Sequence, residues 1–183
     1  MNIPIIETER LILRGWREDD LDAYAAMSAD PEVMRFLGGP QARNDAWRAI
    51  ASMIGHWVLR GHGMWAVERK SDGALIGRVG VQRPESWPAT EVAWTLGRQY
   101  WGQGYATEAA KASLDWGFKN LPLPKLASLI DAENFASQAV AKRLGQTKGA
   151  PYTLVLQGKS YPLDVWEIPR ERWSSGDTRT VRP

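Results

Sequence analysis

Two strand-like runs, Glu91–Leu96 and Leu126–Asp131, are separated by one long helical stretch running from about Tyr105 to Lys119. Strand, helix, strand in that order brings the two strands together in parallel, because an antiparallel pair needs only a short turn. Elsewhere the turn chemistry is that of hairpins. Ser71-Asp72-Gly73 separates Met64–Arg69 from Leu75–Gln82, and Gln157-Gly158-Lys159 separates Tyr152–Leu156 from Ser160–Glu167. With Arg10–Trp16 as a first strand, the expectation is an α/β (α+β) fold. Its central sheet is mixed and mostly antiparallel, of about seven strands, with helices on both faces.

The remaining helices follow from spacing and caps. Asp19 and Asp20 open one through Leu21, Tyr24, Ala25 and Met27, where acidic groups suit exposed amides. Asp30-Pro31 starts a short second piece, which Gly38-Gly39-Pro40 breaks. Trp47, Ile50, Ile54, Trp57 and Val58 recur at helical spacing, and Asn134–Leu144 forms a last helix. At 183 residues the chain fits a single domain over 1–173, with a polar tail at 174–183. A net charge of +2 and the lack of any basic tract with interleaved aromatics argue against nucleic acid. With no cysteine there is no disulfide framework, thiolate metal site or cysteine nucleophile. Met1–Arg10 shows no secretory pattern and no apolar run is long enough to span a bilayer, so the expectation is a cytoplasmic protein without membrane or metal.

The chemistry concentrates in Gln99-Tyr100-Trp101-Gly102-Gln103-Gly104-Tyr105-Ala106-Thr107-Glu108. Two glycines between a strand and a helix let the backbone turn sharply and approach a ligand, and the helix start offers unpaired amides to a phosphate. The plain alternative is a flexible connection. Thr107 stands where the dinucleotide fingerprint needs its third glycine, and no Lys-Ser or Lys-Thr follows, so neither nucleotide motif applies. Ala106, Ala109, Ala110, Ser113 and Gly117 are small enough to let this helix lie close on a sheet.

Gln99-x-x-Gly102-x-Gly104 resembles the acetyl-CoA pyrophosphate motif of the GNAT N-acetyltransferases. Thr8-Glu9-Arg10-Leu11-Ile12-Leu13-Arg14 with Asp30-Pro31-Glu32-Val33, and Asn134-Phe135-Ala136-Ser137 with Lys142-Arg143-Leu144-Gly145, are similar to its RimJ/RimL branch. The likeness spans roughly residues 7–168 and shares the element order. It implies an acetyl-CoA-dependent transfer to an amine by direct attack, and a fourth and fifth predicted strand that splay apart. Trp94, Thr95 and Leu96 would meet the pantetheine arm, with a backbone amide near Leu96 facing the thioester oxygen. Gln99, Gly102, Gln103, Gly104, Tyr105 and Ala106 would hold the pyrophosphate. Asn134 would bond a pantetheine amide and Ser137 would lie near the sulfur, although a simple helix cap explains both residues too.

An alkylamine is mostly protonated at neutral pH, so a base must take its proton. Glu91 fits the acidic position of the RimJ/RimL branch, against the alternative of a solvated strand end. His56 and His62 are read as structural. The helix after Asn134 has no tyrosine, which leaves Ser137, or a water it holds, to protonate the leaving thiolate. A peptide N-terminus would need an open groove, walled by Trp57, Trp65, Trp87 and Trp94. A small amine would want a closed pocket with carboxylates, formed by Gly38–Arg60 and the Arg83–Ala89 loop. The competing function is a non-catalytic acyl-CoA-sensing module. The Ser160–Glu167 hairpin strand offers an edge for a homodimer. Gln146 departs from the family's apolar residue after Gly145.

Overall fold

The computed structural model describes residues 3–156 and 158–174. Eight strands form one sheet in the order β1-β2-β3-β4-β5-β6-β8-β7. They are β1 (Ile6–Glu7), β2 (Leu11–Arg14), β3 (Met64–Arg69), β4 (Leu75–Gln82), β5 (Glu91–Leu96), β6 (Lys125–Ile130), β7 (Thr147–Leu156) and β8 (Lys159–Pro169). Every pair is antiparallel except β5 with β6. The helices are α1 (Leu21–Ala29), α2 (Pro31–Met34), α3 (Arg43–Arg60), α4 (Tyr105–Asn120), α5 (Phe135–Arg143) and α6 (Arg170–Ser174).

The pleat sorts the core into two layers, because alternate strand residues face opposite sides. One face carries Leu11, Leu13, Val67, Val79, Val81, Val92 and Leu96, packed against Ala109, Ala110, Leu114 and Phe118 of α4. Gly117 brings α4 onto the sheet: a Cβ there would stand 3.0 Å from Leu126 Cδ1 and 3.2 Å from a Val81 methyl. The other face holds Met64 and Ala66 under Tyr24 and Ala25 of α1 and Ile50 and Met53 of α3. Burying each large apolar side chain contributes about 1.5–3 kcal/mol.

On that second face Arg14 is buried with its charge fully matched. Its Nη1 and Nη2 each donate to Asp20 at 2.8 Å, and its Nε donates to Glu68 at 2.7 Å. This ties β2 to β3 and to the 3₁₀ turn Glu18–Asp20 that leads into α1.

Four features differ from the sequence expectation. The extra strand β1 forms because Thr8 turns the chain back, accepting Leu11 N–H at its Oγ1 (3.0 Å) while its own N–H bonds Leu11 C=O (2.9 Å). β7 starts at Thr147, earlier than Tyr152, with an irregular register between Lys148 and Pro151. α6 sits where no helix was expected, and its Arg170 caps the end of α4 by donating to the carbonyls of Phe118, Leu121 and Leu123. The strand at Ser160–Glu167 is interior, paired with β6 on one side and β7 on the other, so the edge at that end of the sheet belongs to β7. Gln157, and residues 175–183 of the expected tail, lie outside the described residues, whereas Ser174 closes α6.

Candidate active site

The parallel seam between β5 and β6 is nearly unpaired. Its register holds at one position, Glu91 opposite Ala127, where Ala127 N–H donates to Thr90 C=O at 3.0 Å. Past that point side chains replace the ladder. Ser128 Oγ donates to Val92 C=O at 2.7 Å and accepts from Gln146 Nε2 at 3.0 Å. The unusual Gln146 is therefore buried and braces β5 against β6 from the start of β7. Beyond this brace the strands part into a cleft of about 1250 Å³.

The backbone of β5 faces that cleft. Gly97 N–H bonds Ile76 C=O, which makes Gly77 and Leu96 a non-hydrogen-bonded antiparallel pair. Leu96's own N–H and C=O therefore point away from β4, toward the gap, and by alternation so do those of Trp94. The Leu96 carbonyl is taken by Trp101 Nε1 at 2.8 Å. The N–H groups of Trp94 and Leu96 have no β6 partner in the register. An extended chain with its own amides could pair along this edge as a further strand.

The glycine turn closes one end of the cleft. Gly102 and Gly104 have φ of +73° and +83°, which a side-chain-bearing residue adopts only with strain. Gly104 is the N-cap of α4 and no side chain caps it. The first helical bond is Glu108 N–H to Gly104 C=O, so the amides of Tyr105, Ala106 and Thr107 precede the ladder and stay available for an anion. Gly102, Gly104, Tyr105 and Ala106 line the cleft; Gln99 and Gln103 do not, and Gln103 Nε2 is spent on Gln99 C=O at 2.9 Å.

Arg10 braces this turn from behind. Its Nη1 donates to Gln103 C=O at 2.9 Å, its Nε donates to Glu108 at 2.7 Å, and its guanidinium lies 4.4 Å from the Tyr105 ring centre. Glu108 also accepts from Thr8 Oγ1 at 2.6 Å and Arg10 N–H at 2.9 Å. Burial alone would raise the Glu108 carboxyl, but these donors outweigh it and hold it below the ordinary carboxylate range.

Glu91 is only 7% exposed, not a solvated strand end. It sits where β5 and β6 begin to part. Its Oε2 accepts from Trp87 Nε1 (2.7 Å) and Gln82 Nε2 (3.2 Å), and its Oε1 from Leu129 N–H (3.2 Å). Burial pushes its pKa up, against the opposing pull of these donors and of the Arg78 charge. The Arg83–Ala89 loop delivers the Trp87 indole through Ser86, held at φ +72°, an uncommon conformation for a non-glycine residue.

Asn134 caps α5, its Oδ1 accepting Ser137 N–H at 3.1 Å; its amide nitrogen takes no part in the cap. Asn134, Ser137, Glu91, Trp94, Thr95 and Leu96 all line the same cleft. Trp87 and Trp94 belong to its wall. Trp57 and Trp65 do not: they are buried in the core with Trp116, in edge-to-face contacts 4.8–5.5 Å between ring centres, and the groove assignment for these two is corrected. His56 is locked between His62 C=O, to which its Nδ1–H donates, and Arg83 N–H, which its Nε2 accepts. His62 donates from Nδ1 to Val81 C=O at 2.9 Å, and burial lowers its pKa. Neither histidine lines the cleft.

The structure adds lining residues that sequence reasoning did not single out: Arg78, Gln82, Ser128 and Tyr161. Ser128 had a faint signal as a polar residue in an apolar run, and Gln146 had its departure from the family's apolar residue. Arg78 had none, since an arginine in an alternating strand usually marks a solvated face.

Residues 10–147 match the acetyltransferase (GNAT) domain family. The uncharacterised protein YkkB of Bacillus subtilis (strain 168) is 31% identical over 168 residues, 87% of this chain and 92% of that protein. The uncharacterised N-acetyltransferase YoaA of the same organism is 26% identical over 174 residues, covering 92% and 98% respectively. The crystal structure of an acetyltransferase from Agrobacterium tumefaciens str. C58 superposes with a TM-score of 0.80 at 33% identity, covering 92% of this chain and 95% of that one.

Proposed function

The chain belongs to the GNAT family of acetyltransferases, whose acetyl donor is acetyl-CoA, and on that premise we propose that it acetylates a primary amine by direct attack in a ternary complex. The observation that carries this reading is the buried Glu91 carboxyl at the point where β5 and β6 part, opening onto the same cleft as the glycine turn. Backbone groups along the cleft support this reading. The free amides of Tyr105, Ala106 and Thr107 suit a pyrophosphate, and the unpaired N–H groups of Trp94 and Leu96 suit a pantetheine arm.

Bound acetyl-CoA supplies an acetyl group already activated as a thioester. Gly102, Gly104, Tyr105 and Ala106 hold its phosphates through backbone, while Gln99 and Gln103 shape the turn through their own hydrogen bond. Trp94 and Thr95 flank the arm, and the free amide nitrogen of Asn134 bonds it. The Leu96 N–H stabilises charge on the carbonyl oxygen during attack. Glu91, raised by burial, accepts the proton of the incoming amine, and Ser137 or a water it holds returns one at the sulfur. Trp87 walls the acceptor side, while Trp94 lies on the α4-facing side of β5. A buried base at the mouth of the gap favours a working enzyme over a fold that only senses acyl-CoA. We place the chain in the RimJ/RimL branch and in the cytoplasm, with no metal, nucleic acid or membrane, and with a homodimer formed through the free edge of β7.

Thiol release from acetyl-CoA, measured across peptides with differing N-termini and small amines, tests this. Amine-dependent release that disappears in Gly104→Trp supports the transferase. Tight CoA binding without release across the panel moves the reading to a sensor, and failure to bind CoA removes the basis of both.

A further inference from the structure

Arg78 lies in the middle of β4, opposite Ala66 of β3 and Thr95 of β5. Its neighbour Val79 faces the α4 layer, so Arg78 rises on the opposite face, where its Nη1 rests 3.8 Å from Met53 Sδ of α3. The guanidinium lines the cleft on the face that also carries Gln82 and Glu91. Among the described residues no carboxylate forms an ion pair with it, and its Nε is sealed from solvent without an acceptor. The carboxylate whose charge it influences, Glu91, already has both oxygens engaged by Trp87, Gln82 and Leu129. Arg35 and Arg143 also line the cleft, but both are exposed; Arg78 is the half-buried cation of the wall.

A half-buried, unmatched guanidinium is a costly feature, and such charges are normally paired. A bound anion would complete it. Gln82, which pairs with Glu91, is four residues along β4 from Arg78, about 13 Å at strand rise. A span of that order leaves room between the two groups for a small molecule whose amine and anion are a few bonds apart.

Resting on the transferase reading, we infer that the acceptor is a small primary amine carrying its own negative charge, of the free α-amino acid type, with its anion on Arg78 and its amine toward Glu91. A protein N-terminus has no such anion beside its amine, so this narrows the substrate class away from peptides.

The test uses the full chain loaded with CoA. Glycine, leucine, phenylalanine and glutamate, each beside its carboxamide, with aminomethylphosphonate as the alternative anion, are titrated by calorimetry and assayed by thiol release with acetyl-CoA. The expected result is that acids outbind and outreact their carboxamides by about 10–100-fold, the range of a hydrogen bond to a charged group. Arg78→Met should abolish that ratio while CoA affinity and thermal midpoint hold, and Arg78→Lys should keep part of it. The phosphonate arm shows whether the site takes a carboxylate or a phosphonate. Charge-selective binding that is lost in Arg78→Met upholds the assignment even if no thiol is released, and in that case it is the transferase reading that fails. Equal use of acids, carboxamides and neutral peptides, or a ratio untouched by Arg78→Met, overturns the assignment even if turnover is brisk.

Discussion

Arg14 and Arg78 stand in one row across the sheet, on either side of Ala66, on the same face and about 9.5 Å apart at two strand spacings. Arg14 has Asp20 and Glu68 within 2.8 Å and is closed over by α1. Arg78, two strands nearer the cleft, has a methionine sulfur and no carboxylate partner among the described residues. The same residue type in nearly the same pleat position thus does two jobs. A matched charge locks elements together. An unmatched one, on the inference drawn above, is a group kept ready for a ligand that the folded chain does not itself contain.

The largest effect is expected at Glu91. With Glu91 as the proposed base, Glu91→Gln should lower kcat/KM by about 10²–10⁴-fold. In the native protein the acid limb of the pH–rate profile should lie above the ordinary carboxylate value, because burial raises this group. Stability should move the other way. A carboxyl raised in the folded state contributes stability at low pH that is lost as pH climbs from its unfolded value through its folded one. In the native protein that share of the stability should fade as pH rises through the folded value, and a Glu91→Gln curve that shows the same fade would contradict a buried, reluctant charge.

Asp20→Ala attacks the matched arginine. Leaving Arg14 buried with one partner fewer should cost about 3–5 kcal/mol of unfolding free energy, read as a shift in denaturant midpoint without a change in slope. Arg78→Met should leave that midpoint nearly where it was, and an equal loss from both substitutions would erase the distinction. Glu108→Gln is subtler. It loosens Arg10 and so the glycine turn, with CoA affinity expected to weaken by roughly tenfold, about 1.4 kcal/mol. Because donors hold Glu108 low, its contribution to stability is present above the unfolded carboxylate pKa and fades as pH falls through its folded value, a loss absent from the variant. At the bottom of the scale, Arg43→Ala removes an exposed ion pair with Asp22 and should shift the midpoint by less than about 1 kcal/mol.

How far the sequence carries this picture depends on whether the signal is local. The glycine turn, the Ser71-Asp72-Gly73 hairpin and the strand–helix–strand that makes β5 and β6 parallel are dictated by residues a few positions apart, and they stand where spacing puts them. β1 is two residues long, and α6 gains its place from Arg170 reaching carbonyls some 50 positions earlier, which no window of sequence displays. Trp57 shows helical spacing, but spacing cannot say that its ring meets Trp65 and Trp116 instead of a groove. Glu91 has the same limit: its identity was legible, and its burial was not, because that rests on Trp87 and Gln82 closing over it from a loop and a neighbouring strand. The departure at Gln146 becomes intelligible once Ser128 is seen beside it.

The nearly unpaired seam also divides the sheet into two plates, five strands and three, stitched at one backbone position and by the side chains of Ser128 and Glu91. Such a joint has few hydrogen bonds of its own until something bridges it. A ligand lying in the seam would act as a ninth strand, and the amide protons of Trp94 and Leu96 should then exchange with solvent far more slowly than in the empty protein. The donor would be a temporary structural member as well as a reactant, and its departure after each turnover would return the two plates their freedom.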